Sequence, residues 1–138
     1  MSESTTKKTS KTQHQLRISR IIFFYHYYFF NWDKKDIIDK SLDLDKYNFN
    51  DEEIKFIEIF SNNLEVIEKN IKENITNKWP FYRIEPFIKA VLVNSFVEII
   101  YLKIDKRISI NEALIILEEY AYESSKNMCN AILDKIKV

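Results

Sequence analysis

The chain has no glycine in its 138 residues, only two prolines and a single cysteine, Cys129. Without glycine it cannot carry the phosphate loops and dinucleotide fingerprints whose turns need close backbone approach to a phosphate. With one cysteine it cannot form an internal disulfide, which fits a reducing, cytoplasmic setting. Net charge is zero, so no global field draws the chain to nucleic acid or membrane. Few prolines, no glycine and abundant Ile, Lys, Asn and Glu favour an all-helical fold. The length suits one domain, long enough to bury a proper core.

What charge there is lies unevenly. Residues 1–20 carry five basic side chains and one acid, whereas residues 33–53 carry eight acids and four lysines. Residues 1–15 are Ser/Thr/Lys-rich without apolar period and are expected to form a disordered basic arm. Such an arm suits a polyanion, or serves only as a solubilising tail. Residues 16–138 are expected to form a single helical domain.

The stretch Leu16–Trp32 holds eight aromatic residues between Ile21 and Trp32. A helix that is apolar nearly all round must lie inside something, so this segment is expected to be the central helix. On it Arg17, Arg20, Phe24, Tyr28 and Asn31 follow one another at helical spacing and form a cationic and aromatic strip. The competing reading is a membrane anchor or signal segment. The uninterrupted apolar run, Ile21 to Phe30, is ten residues, against about 20 needed to span a bilayer. Asn31 to Lys35 offers no small-residue cleavage site.

Further on, Asn50-Asp51-Glu52-Glu53 predicts a helix start, with Asn50 as cap and acids at the positive end of the helix dipole. Apolar residues then recur from Ile54 to Ile75, with a break expected near Ser61-Asn62-Asn63 and an end at Trp79-Pro80. Pro86 suits a first helical turn, followed by an inward face of Val91, Leu92, Ser95, Ile99 and Leu102. Lys103 to Arg107 reads as a charged connection. Ser109-Ile110-Asn111-Glu112 has capping-box spacing and predicts a helix running to about Tyr122. Ser124 or Ser125 is expected to cap the last helix, whose inward stripe is Cys129, Ile132, Leu133 and Ile136. Asp43-x-Asp45 lacks the glycine and distal glutamate of a calcium loop and reads as a solvated acidic face. No stretch reads as a convincing strand.

From residue 79 onward the chain resembles the NusB family of bacterial transcription antitermination factors. The residues that carry this are Trp79-Pro80, Arg83-Ile84, Lys89-Ala90, Leu92, Glu98, Tyr101-Leu102, Ile110-Asn111-Glu112-Ala113, Tyr120, Ser125, Asn130 and Ile132-Leu133-Asp134-Lys135-Ile136. Arg17, Arg20 and Tyr28 match the family's arginine-rich start and Leu-Tyr pair more loosely. The resemblance implies about seven helices, a three-helix N-terminal and a four-helix C-terminal bundle sharing one core. It implies no enzyme activity and no cofactor. The partners it implies are a boxA-like element of nascent ribosomal RNA, the small-subunit ribosomal protein NusE and the transcribing RNA polymerase complex. Relatives occur as monomers and homodimers.

Taken with the basic arm, it marks Lys11, Arg17, Arg20, Tyr28, Ser124 and Met128 as RNA-binding candidates. The arginines can fork onto phosphates and Tyr28 offers a ring to an unstacked base. The bland alternative pairs Arg20 with a carboxylate such as Glu98 and leaves Tyr28 merely packed. Ile88, Ser124, Asn127 and Met128 depart from the family pattern near the RNA-facing surface. They favour a second function, a protein-interaction module of the same fold with weakened or lost RNA binding. A third is the helical domain that precedes a methyltransferase in some RNA-modifying enzymes, but no cofactor loop is present. His14, His26 and Cys129 share no signature of a metal site or a triad. His26 is expected to be buried and bonded to a backbone carbonyl.

Overall fold

The structure is a computed structural model that describes residues 11–75 and 80–138. Residues 1–10 of the expected arm, and Trp79 of the expected helix end, lie outside the described residues. As expected, the fold is all-helical, with seven α-helices and no strand among the described residues.

Helix α1 spans Gln13–Phe30 and therefore starts three residues before the expected Leu16. Thr12 Oγ1 accepts a hydrogen bond from the Gln15 N–H at 3.1 Å, and the Thr12 N–H donates to Gln15 Oε1 at 2.9 Å. This capping box satisfies two otherwise orphaned backbone groups. The helix stops at Asn31 in the left-handed region, φ 54°, which asparagine tolerates better than most residues.

A 3₁₀ turn (Lys34–Asp36) and a short α2 (Ile37–Ser41) follow. In the next loop Asp43 Oδ1 accepts from the N–H groups of Asp45 and Lys46 at 3.0 and 3.2 Å, so this acid shapes a turn. Helix α3 (Asp51–Asn62) opens with the anticipated Asn50 cap, completed reciprocally by Glu53. It breaks where expected, and α4 (Leu64–Glu73) starts directly after Asn63.

After a 3₁₀ turn at Phe81–Arg83 comes α5 (Pro86–Phe96), with Pro86 in its first turn, continued by a π-helical turn at Val97–Tyr101. Every residue from Phe87 to Ile99 except Lys89 is buried. This helix, rather than α1, is the centre of the molecule. Its most extensive packing is against α1, which buries Leu16, Arg17, Arg20, Ile21, Phe23 and Phe24 but leaves Phe29 and Phe30 53% and 59% exposed. Leu102, expected inside, is exposed.

Helix α6 runs Lys106–Glu119 and α7 Lys126–Asp134. The expected start of α6 at Ser109 is corrected. Asp105 is the cap, its Oδ1 accepting from the Arg107 N–H at 2.8 Å, and Ser109 sits inside the helix with its hydroxyl donating to Glu98 Oε1 at 2.9 Å. Ser125 occupies the N-cap position of α7 without a side-chain cap bond. Cys129, Ile132, Leu133 and Ile136 are all buried.

Ser109→Ala should therefore cost roughly 1.5–3 kcal/mol in urea unfolding, the range for a hydrogen bond to a charged group. Ser109→Asp separates the two mechanisms. A cap position would tolerate aspartate, whereas here it would set a second carboxylate against Glu98 and should destabilise more than alanine does.

Candidate nucleic-acid interface

The strip Arg17, Arg20, Phe24, Tyr28 does share one face of α1, and that face is turned towards the interior. Glu98, wholly buried in the π turn after α5, gathers the basic groups. Arg17 Nε and Arg20 Nη2 each donate to Glu98 Oε2 at 2.8 Å. Arg20 Nε donates to Asn94 Oδ1 at 3.0 Å, and Asn94 Nδ2 to Glu98 Oε2 at 3.1 Å. The Arg20 guanidinium also lies over the Phe56 ring at 3.9 Å, a cation–π contact. Burial pulls the Arg20 pKa down and the Glu98 charge opposes that. Both arginines are 6% exposed. The fork expected to take phosphate is occupied by a carboxylate of the chain itself, the pairing raised above as the bland alternative.

Lys11 is only partly free. Its Nζ donates to Glu53 Oε2 at 2.9 Å and to Ser19 Oγ at 3.2 Å. Tyr28 is half-buried, and its hydroxyl donates to Glu68 Oε2 at 2.7 Å. Burial first, and the Glu68 carboxylate second, push the phenol pKa well above its ordinary value. The ring stands edge-on to Phe81 at 6.1 Å. Lys89 Nζ hovers 5.4 Å from the Tyr28 ring and 4.9 Å from the Phe81 ring, and Lys72 Nζ lies 5.5 Å from Phe81. Burial draws the Lys89 pKa down, with Glu68 acting against it and Lys72 adding to it.

Ser124 and Met128 meet in one cleft of about 330 Å³, with Arg83, Ile84, Glu85, Ile88 and Ser125. Ile88 is its apolar wall, 4% exposed. The 3₁₀ turn Phe81–Arg83 joins the two features: Phe81 packs on Tyr28 and Lys89, and Arg83 lines the cleft. Tyr82, between them, is 75% exposed. Cations beside one accessible ring, Tyr82, suit a single strand, whose phosphates need charge and whose bases need stacking partners. The sequence candidates did not include Tyr82, Arg83, Lys72 or Lys89, which the fold places beside them. The available signal was Phe81-Tyr82-Arg83 standing between two helix-breaking prolines, Pro80 and Pro86.

The remaining polar groups are otherwise engaged. His14, in the first turn of α1 and not in a tail, lies 3.0 Å from Glu119 and 3.6 Å from Glu112. His26 pairs through Nδ1 with the Tyr47 hydroxyl at 2.6 Å instead of a backbone carbonyl. Burial pushes the Cys129 thiol up to about 12, which leaves it un-ionised and unreactive at neutral pH. No group of three His, Cys, Asp or Glu side chains that could hold a metal occurs among the described residues.

Comparison with known proteins bears on this arrangement. The family model described as "NusB family" matches residues 17–137. A transcription antitermination protein NusB of Sulfurovum sp. is 30% identical over 128 residues, 91% of this chain and 97% of that protein. One from Alkaliphilus oremlandii is 42% identical over 74 residues, 53% of each chain. One from Bacillus thuringiensis is 33% identical over 79 residues, 56% of this chain and 60% of that protein. These last two matches thus span little more than half of the relatives concerned. No solved structure matches significantly. The family match begins within α1 and takes in the Phe81–Arg83 turn and α7, and the chain belongs to the NusB family.

Proposed function

We propose that this protein is a cytoplasmic bacterial transcription antitermination factor, not an enzyme, that binds boxA-like nascent ribosomal RNA together with a NusE-type ribosomal protein of the transcribing complex. One observation carries the RNA-binding part. Ser124 and Met128, marked by the resemblance, lie in one cleft with Arg83, next to the Tyr28, Phe81, Lys72 and Lys89 cluster. In this reading Arg83, Lys72 and Lys89 take phosphates, while Tyr82 and Met128 cover bases. Lys11 adds a phosphate contact only by giving up Glu53. Arg17 and Arg20 act from behind, positioning α1 against α5.

The test is fluorescence anisotropy with a boxA-like strand and a scrambled strand, with and without the ribosomal protein. Weak binding alone, tightened by the partner, is expected. Each lost phosphate contact should flatten the log–log salt slope by about 0.7, so Arg83→Ala should do this and weaken both strands alike. Tyr82→Ala should cost roughly 1–3 kcal/mol if a base stacks there. Met128→Phe should tighten binding by restoring a ring. The apolar wall at Ile88 favours the other reading, a protein-interaction module. Partner binding that persists while neither strand binds in any arm selects that module and rejects the RNA-binding reading.

A further inference from the structure

A second cleft, of about 450 Å³, lies where the end of α1 faces the segment 40–47. Its walls are His26, Phe30, Trp32, Lys40, Asp43, Lys46 and Tyr47. It shares no residue with the Ser124–Met128 cleft. Its size is within the range of about 300–1,000 Å³ usual for small-molecule sites.

The rings of Phe30 and Trp32 are nearly parallel, 13° apart, with centroids separated by 6.5 Å. Phe24 and Phe60 in the core sit at 4.4 Å. Phe30 is the most exposed aromatic of α1 at 59% and adjoins Phe29, itself 53% exposed, at 5.0 Å. An exposed aromatic patch on the edge of a cleft marks a place that something covers. The floor is rigid. Tyr47 stacks on Phe49 at 5.2 Å, meets Phe23 edge-on at 4.9 Å, and its hydroxyl is held by His26.

The charge decides the occupant. Lys40 and Lys46 line the cleft against one acid, Asp43, and Lys40 Nζ lies over the Trp32 ring, 5.0 Å from its centroid. Burial and Lys46 lower the His26 pKa, so His26 is neutral at pH 7 and adds no charge. The cleft therefore offers the exposed Phe30 face, a Trp32 ring that Lys40 covers and can uncover, and two lysines against one acid among its lining residues, a local excess within the acidic segment 33–53. A planar base carrying a phosphate matches rings and lysines, because every base has a face to stack and the phosphate answers the lysines.

We infer that this cleft binds one nucleotide unit, its base on the exposed Phe30 ring beside Trp32 and its phosphate at Lys46 and at Lys40, which leaves the Trp32 ring to meet it. The unit is either a free nucleoside monophosphate or one nucleotide of an RNA strand. The inference goes beyond the antitermination reading and uses none of its residues.

The test is a proton–nitrogen NMR titration of the full chain with adenosine 5′-monophosphate, with tetraadenylate, and with inorganic phosphate. The Trp32 indole signal is assigned with Trp32→Phe. Saturable shifts of that signal and of the Lys40–Tyr47 amides are expected with the nucleotides. Inorganic phosphate has no ring to stack, so any shifts it causes should be unchanged by Phe30→Ala. Phe30→Ala should weaken binding roughly tenfold or more, the scale of one lost base stack. Lys40→Gln with Lys46→Gln should weaken it similarly and remove its salt dependence. Both variants alter exposed side chains and should keep the wild-type circular dichroism spectrum. Shifts with both nucleotides identify a site open to free nucleotide, and shifts with tetraadenylate alone identify a strand contact. An unmoved Trp32 signal with both, or shifts that survive Phe30→Ala and the double lysine variant, overturns the inference. Arg83→Ala should leave these shifts intact while it weakens boxA binding, so the two proposals fail separately.

Discussion

Glu98→Ala should lose roughly 3–5 kcal/mol of unfolding free energy, the cost of leaving buried charge without its counter-ion. Glu98 has no exposed surface, and its two oxygens accept from Arg17, Arg20, Asn94 and Ser109. Removing the carboxylate strands the Arg20 guanidinium and leaves Arg17 only a 3.9 Å contact with Glu112, both arginines being 6% exposed. Against a typical total of about 5–15 kcal/mol, such a loss brings the domain near unfolding at ordinary temperature. Urea denaturation measures it. Glu98→Gln keeps an acceptor oxygen and the shape, so its loss should be smaller. The combined variant Arg17→Met, Arg20→Met, Glu98→Leu should recover much of the stability, because well-packed apolar groups often equal or exceed a buried ion cluster. A loss below about 1 kcal/mol for Glu98→Ala, the range of exposed ion pairs, would mean that water reaches the cluster. The same reasoning bears on function. The Arg17→Ala, Arg20→Ala pair is a poor probe of RNA contact, since it removes the fastening of α1 to α5 and leaves Glu98 buried and unpaired.

Local signals were the most legible part of the sequence. The Asn50 cap, the break before Leu64, the Pro86 start and the α7 stripe each depend on neighbours a few residues away. The Ser109 error is of the same local kind. Ser-x-x-Glu occurs inside helices as well as at their starts, and Asp105, four residues upstream, was the better cap. The Thr12-x-x-Gln15 box was equally readable, but lay against a tail rich in lysine and serine. Long-range facts were not legible. The strip Arg17, Arg20, Phe24, Tyr28 was correctly placed on one face, yet its direction depends on Glu98, 81 and 78 residues away from the two arginines. The candidate site divides similarly. Ser124 and Met128 came from resemblance and do share a cleft, whereas Arg83 and the Lys89–Phe81–Tyr28 contacts appear only once the 81–83 turn is folded between α1 and α7.

The centre of the molecule lies at α5 and not, as aromatic content predicts, at α1, for a reason that a pair of substitutions can measure. Aromatic content made α1 look buried all round, but an aromatic residue needs a facing layer, and that layer ends before the last turn of α1. Phe24 is wholly buried, 4.4 Å from Phe60 and 6.1 Å from Phe56 between ring centroids. Phe29, five residues on, is 53% exposed and touches mainly Tyr25 and Phe30. Phe24→Ala should therefore cost roughly 3–5 kcal/mol, because it combines lost transfer energy with a cavity that α3 and α5 cannot close. Phe29→Ala should change stability by no more than about 0.5 kcal/mol, as for other surface positions. The two variants share residue type, helix and helix propensity, so the difference in urea midpoint reports the facing layer alone. Equal losses would show that the end of α1 is covered in solution. A covered end would also close the aromatic cleft at Phe30 and Trp32, so this comparison bears on the nucleotide inference independently of any ligand.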